Sequence, residues 1–206
     1  MGRFDLAIFD CDGVILDSRE ANRSYYNAIL DEFGHRPMTD TELSFVHMHT
    51  AEESIRYLFK DYAADVKEAL IYSRQLNYTN FLDHLIMEPG VRDTIESIRP
   101  PILTAISTNR STTMPMVIDI FGLDKWFDII VCALDVKYPK PNPEGIFKIL
   151  NISGVDKDHT IYIGDSIVDE TVSHRAGIPF IAYKNSNLNA LFHVEHFFEI
   201  KEILFN

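Results

Sequence analysis

From residue 89 onward the chain alternates short apolar runs with helix-length amphipathic stretches, and that alternation limits the fold more than any other feature. Residues 102–107 (ILTAIS), 129–133, 160–164 (TIYIG) and 179–182 read as strands. Between them, residues 94–98, 114–121, 143–150 and 167–176 carry helical spacing, with stops at Pro100-Pro101, Gly122 and Gly177. Ahead of all of these, residues 4–10 (FDLAIFD) are mostly apolar, the mark of a central strand covered on both faces. Five strands separated by helices imply right-handed crossovers and a parallel sheet. The expected core is therefore α/β and Rossmann-like, with ligands bound at the carboxyl ends of the strands.

Residues 17–88 change character. Apolar residues recur at helical spacing (Tyr26, Ile29, Leu30, Phe33; Ile55, Leu58, Phe59, Tyr62; Ala69, Leu70, Tyr72, Leu76). Asp17 with Glu20 and Thr50 with Glu53 match capping boxes. Glu88-Pro89-Gly90 then breaks the pattern. The expectation is an all-α insert at 17–88 in a core made of 1–16 and 89–206, its aromatic stripes (Tyr25, Tyr26, Phe33, Tyr57, Phe59, Tyr62) packed inward.

Composition narrows the partners. A formal charge of −12 disfavours nucleic acid, which selects clustered basic surface. No apolar run approaches the roughly 20 residues that span a bilayer, and no signal peptide is predicted. With two cysteines, Cys11 and Cys132, both in or beside apolar runs, buried free thiols and a cytoplasmic setting are expected. A monomer is the default expectation, with a dimer left open.

The polar residues that end these runs carry the chemistry. Asp10 and Asp12 close the first run and point to one side of an extended backbone, while Cys11 points away and Gly13 permits a turn. Val14 and Ile15 exclude an EF-hand loop, which needs an oxygen ligand and a glycine there. Thr108-Asn109 ends the second run, and Lys140 sits in the proline-framed YPKPNPE loop. Gly164-Asp165-Ser166-Ile167-Val168-Asp169 follows the fourth, with its two aspartates spaced to share a face if both are helical. Attack on a phosphate ester needs a nucleophile ionised at neutral pH, and an aspartate is one. Clustered carboxylates repel, a conflict that a divalent cation removes; oxygen-only ligands point to Mg²⁺. A lysine and a hydroxyl then serve the phosphoryl oxygens.

In this order, these motifs resemble the haloacid dehalogenase-like hydrolases, with residues 17–88 in the place of a C1 helical cap. Within that superfamily the likeness is to phosphoglycolate phosphatase-like and β-phosphoglucomutase-like members, through DGVILDS, PGV, STN, KPNPEG and GDS. The resemblance implies an Mg²⁺-dependent phosphatase acting on a small-molecule phosphate monoester. It implies Asp10 as nucleophile and metal ligand, and Asp12 as acid and base with a metal-binding carbonyl. Asp165 is implied as the third ligand and Asp169 as its outer support. Thr108, Lys140 and the backbone of Gly13 and Asn109 are implied around the phosphate, and His47 and His49 in a substrate-reading loop of the cap.

Plainer roles stand beside these: Thr108 as a helix cap, Asp169 as a first-turn carboxylate, Ser166 as a helix-start residue, the histidines as a solvated loop or, with no third soft ligand, a weak zinc pair. Asp12 argues against a true haloacid dehalogenase, and Lys60 and Lys67, on surface-facing helices, against a phosphonatase. A β-phosphoglucomutase-like phosphotransferase and a non-hydrolytic phospho-acceptor module remain as alternatives.

Overall fold

A computed structural model describes residues 4–205. Its centre is a six-stranded sheet built from β1 (Leu6–Phe9), β4 (Leu103–Ser107), β5 (Ile129–Val131), β6 (Thr160–Gly164), β7 (Phe180–Tyr183) and β8 (Phe192–Val194). Their spatial order is β5-β4-β1-β6-β7-β8, and every neighbouring pair is parallel. The strands expected from the sequence are all present with ends shifted by up to two residues, whereas β8 is an addition. It is a short edge strand, half exposed, so neither an apolar run nor a clean alternation marks it.

The sheet separates two apolar layers, and strand alternation assigns residues to each. Leu6 and Ile8 face a layer with Tyr162, Ile146, Ile149 and Val172, contributed in part by α7 (Glu144–Ser153) and α8 (Ile167–Ala176). Ala7 and Phe9 face the other, larger layer. There Phe9 stacks on Phe197 at 5.7 Å and meets Phe127 edge-on at 5.8 Å. Phe197 opens α9 (Phe197–Phe205), which packs on α5 (Val91–Ile98), while α6 (Met114–Phe121) follows β4.

The segment between β1 and α5 is helical: α1 (Arg19–Glu32), α2 (Asp40–Met48), α3 (Ala51–Leu58), α4 (Val66–Gln75) and a 3₁₀ stretch at Tyr78–His84. It begins and ends in a two-stranded antiparallel pair, β2 (Leu16–Asp17) against β3 (Ile86–Met87). Two residues per strand leave no periodicity to read, which is why the sequence shows only helix here.

The Thr50–Glu53 capping box forms as the spacing predicts, and a second one, Thr39–Glu42, heads α2. Asp17 and Glu20 make no such box. Ser18 is the N-cap of α1, Asp17 accepts from the Arg19 N–H at 3.2 Å, and Glu20 pairs with Arg23. Tyr25, Tyr26 and Phe59 are buried as expected, but Tyr62 is 38% exposed and stacks on His35. Cys11 is buried and Cys132 only half-buried; both are free thiols. Among the described residues no helix is long and apolar enough to cross a membrane.

Glu42 ties α2 to its approach segment. Its carboxylate accepts two hydrogen bonds from Arg36, at 2.8 and 2.9 Å, and one from the Thr39 N–H at 2.7 Å. These bonds to the charged form, Arg36 first, hold its pKa down at about 2. A carboxyl whose folded pKa lies below its unfolded one contributes stability that is full above pH ~4.5 and lost as pH falls toward 2. In urea titrations, the stability gap between wild type and Glu42→Gln is therefore expected to be largest near pH 6 and to shrink steadily below pH ~4.5.

Candidate active site

Strand register gathers the site. Phe9 at the end of β1 is level with Ile106 of β4 on one side and Ile163 of β6 on the other. The residues that continue these strands therefore emerge together: Asp10 in the middle, Thr108 and Asp165 flanking it. The Asp10 N–H still donates to the Ile163 carbonyl at 2.9 Å, so the ladder holds up to the carboxylate.

Lys140 knits the loops. Its ammonium group lies 2.7 Å from Asp169 Oδ1, 2.9 Å from Asp10 Oδ1 and 3.0 Å from the Tyr162 hydroxyl. Asp169, fully buried, accepts from Tyr162 at 3.0 Å through Oδ1, and from the Ser166 hydroxyl at 2.5 Å and N–H at 3.2 Å through Oδ2. Ser166 is the N-cap of α8 and forms a capping box with Asp169, so both are the helix-start residues that their plainer readings describe. Asp169 is in addition the fixed counter-charge of Lys140. Asp165 stands one residue before this N-cap, outside the helix, so the four-residue spacing is not what aligns it with Asp169.

Oxygens of Asp10, Asp165 and Asp169 lie within 4.8 Å of one another. Burial, then the Asp169 charge, push the Asp10 carboxyl up to about 7 despite Lys140. Burial and the charges of Asp169 and Asp10 likewise raise Asp165 well above the carboxylate range. Three carboxylates against one ammonium leave the cluster short of positive charge. With Asp169 saturated by four bonds, Asp10 and Asp165 are the oxygen donors suited to a divalent cation.

Gly13 serves differently from the expectation. Its N–H donates to the Leu16 carbonyl at 2.8 Å, closing the turn by which the chain folds back into β2. What the glycine supplies is room: φ is +83°, and a Cβ would fall 2.2 Å from Asp165 Oδ2. Thr108 caps no helix, since α6 starts at Met114; its hydroxyl oxygen accepts from the Arg110 N–H at 3.0 Å. The Asn109 side-chain amide donates to the Lys140 carbonyl and, across the cleft, to the Met48 carbonyl, both at 3.0 Å; its Oδ1 is buried without a partner.

His47 and His49 do not form a loop. His47 lies in the last turn of α2, where Asn22 Nδ2 donates to its Nδ1 at 3.2 Å, and His49 is the residue that ends the helix, stacked on Phe45. Both border a cavity of about 50 Å³ between the helical segment and the strand ends, which Asp10, Asp12, Lys140, Tyr25 and Tyr26 also line. Burial pushes the His47 imidazole down against the opposing pull of Asp12.

Arg110, Tyr162 and Tyr78 enter the site unforeseen. Arg110 donates to both Asp12 oxygens, one of them at 3.1 Å, and to the Tyr78 hydroxyl at 3.1 Å. Burial alone would raise the Asp12 pKa, but this guanidinium outweighs it and holds the carboxyl below its ordinary value. A signal existed for Tyr162: a phenol inside a buried strand needs a polar partner. For Arg110 the only hint was its place after Thr108-Asn109.

Carboxylates and a lysine gathered at strand ends beneath a helical cover mark a candidate active site on a Rossmann-like α/β fold. The sequence pattern of the haloacid dehalogenase-like hydrolases matches residues 7–183, and the chain belongs to that family. It is 28% identical to a phosphoglycolate phosphatase of Rhodobacter capsulatus, over 95% of this chain and 93% of that one. It is 26% identical to the pyrophosphatase PpaX of Oceanobacillus iheyensis, over 96% and 94% of the two chains. Among solved structures, a HAD-superfamily hydrolase of subfamily IA, variant 1, from Geobacter sulfurreducens superposes with a TM-score of 0.80 at 33% identity, covering 98% of this chain and 97% of that one. A β-phosphoglucomutase from Clostridium difficile shares the fold, with a TM-score of 0.84 at 18% identity over 96% and 93%.

Two outcomes follow from the charge balance. Carboxyls whose folded pKa exceeds the unfolded value stabilise at low pH and lose that contribution as pH rises from about 4 through 7. Without divalent cations the thermal midpoint is expected to fall between pH 5 and 8, and MgCl₂ is expected to raise it more at pH 8 than at pH 5. Asp169→Asn removes one of the crowding carboxylates while Asp10 still faces Lys140, and is expected to flatten that fall in thermal midpoint between pH 5 and 8.

Proposed function

We propose that this phosphatase hydrolyses a small-molecule phosphate monoester through an aspartyl-phosphate on Asp10. The observation that carries the reading is the hold on Asp10. Its Oδ1 accepts from the Cys11 N–H at 2.7 Å and from Lys140, which leaves Oδ2 as the attacking oxygen. In the first step Asp10 Oδ2 bonds to phosphorus, the ester P–O bond breaks, and Asp12 protonates the departing oxygen. In the second, Asp12 takes a proton from water, the water oxygen attacks phosphorus, and release of phosphate regenerates Asp10.

The Thr108 hydroxyl, accepting from Arg110, keeps its own proton to donate to a phosphoryl oxygen, and Lys140 and the Asn109 N–H supply further donors. The oxygen-only donors Asp10 and Asp165, with the Asp12 carbonyl, suit Mg²⁺, which when bound supplies the positive charge the cluster lacks and neutralises the phosphate.

We further propose the division into a core (1–16 and 89–206) and a cap (17–88). The β2–β3 pair at the two crossings supports this division. The names of the relatives favour phosphoglycolate or pyrophosphate as the compound consumed.

A panel of monoesters and pyrophosphate, assayed with and without Mg²⁺, tests the reading. Phosphate release is expected to require Mg²⁺ and to fall by at least about 10³-fold in Asp10→Asn. Undiminished turnover by that variant would remove Asp10 as nucleophile.

A further inference from the structure

Arg110 is 9% exposed, yet it borders the cavity, and its guanidinium bonds to Asp12 at the strand ends, to Tyr78 of the helical segment and to Thr113. Nε donates to Asp12 Oδ2 at 3.1 Å and Nη2 to Asp12 Oδ1. Nη1 donates to the Tyr78 hydroxyl at 3.1 Å and to Thr113 Oγ1 at 3.2 Å. The guanidinium also lies 5.5 Å from the Tyr78 ring centre. Each Asp12 oxygen thus accepts one bond from the guanidinium, and a new partner for the fork has to compete with that pair.

The neighbourhood limits what that partner is. Two of the other buried carboxylates, Asp10 and Asp169, pair with Lys140. Among the described residues that line the cavity, Lys140 and Arg110 carry the full positive charges, and only Lys140 serves the cluster around Asp10. A substrate phosphoryl group placed on Asp10 leaves its departing portion beside Asp12, and so beside Arg110. A planar fork of N–H donors there matches a carboxylate or a phosphate.

We propose that Arg110 recognises a second anionic group, carboxylate or phosphate, on the departing portion of the substrate, exchanging its bonds to Asp12 for bonds to that group. The inference rests on the phosphatase reading and sharpens it. The enzyme takes small, doubly anionic phosphates and discriminates against neutral esters of the same size. Arg110 is thus a specificity residue that also restrains Asp12.

The test compares kcat/KM of wild type, Arg110→Gln and Arg110→Lys on three compounds with Mg²⁺ present. These are 2-phosphoglycolate, inorganic pyrophosphate, and 2-hydroxyethyl phosphate, in which a neutral hydroxymethyl replaces the carboxylate. Wild type is expected to prefer an anionic compound by about 100-fold, the scale of bonds to a charged group. The faster of the two anionic compounds tells a carboxylate from a phosphate. In Arg110→Gln the preference is expected to collapse to about threefold or less. Arg110→Lys, which keeps the charge and loses the fork, is expected to fall between the two and serves if the glutamine variant does not fold.

Equal losses on charged and neutral compounds would overturn the proposal and leave Arg110 as a mere support of Asp12. Equal use of the charged and neutral compounds by wild type would overturn it too, with phosphatase activity intact. No phosphate release by wild type from any compound would sink the phosphatase reading itself and this inference with it.

Discussion

The site depends on one buried ammonium group. Lys140 contacts Asp10 from the central strand, Asp169 from α8 and Tyr162 from β6, and the carbonyl of the same residue anchors Asn109 at the end of β4. Three stretches far apart in sequence, at Asp10, Asn109 and Tyr162–Asp169, thus meet at one residue. Burying a lone ammonium costs several kcal/mol, and the two carboxylates compensate only because packing holds them in place. The cost of desolvating the lysine is what makes the arrangement stiff. A surface lysine would leave Asp10 free to rotate.

The two charged clusters divide the work by geometry. Around Lys140 the carboxylates outnumber the cation, and Asp10 and Asp165 are pushed toward neutrality. Around Arg110 a single guanidinium faces a single carboxylate, and Asp12 is pushed toward full ionisation. Two aspartates separated by one residue therefore sit in opposite environments. The extended backbone carries them to one side, and the turn at Gly13 lets Asp12 reach a partner on a different loop.

Much of this was legible because periodicity and position are local properties. The core strands were readable as apolar runs, and the chemistry-bearing residues as polar endings to those runs. α6, β6 and α8 match residues 114–121, 160–164 and 167–176 without adjustment. Legibility failed where structure is made by tertiary contact. β2 and β3 are too short for a pattern, and β8 is an exposed edge. Glu20 found Arg23 in place of a cap, a competition between two partners that spacing alone does not decide. Gly13 looked like a phosphate contact because glycine often permits one, but its N–H was needed to close the turn onto Leu16. Arg110 lies 98 residues from Asp12, and no local pattern encodes that meeting.

The β2–β3 pair has a consequence for how such a chain can change. The polypeptide enters the helical segment at Leu16–Asp17 and leaves it at Ile86–Met87, side by side, with the Glu88 N–H donating to the Ile15 carbonyl at 2.9 Å. Glu88 also binds the Lys184 ammonium at 2.7 Å and the Tyr183 hydroxyl at 3.2 Å, which pins the returning strand to the end of β7. An excursion whose two ends touch makes few demands on what lies between, since lengthening a closed loop costs only slowly increasing entropy. The helical segment is in that sense interchangeable: an ancestor could lengthen, shorten or replace it while the strand ends stayed in register. The helical segment and the strand ends are thus free to evolve at different rates within one chain.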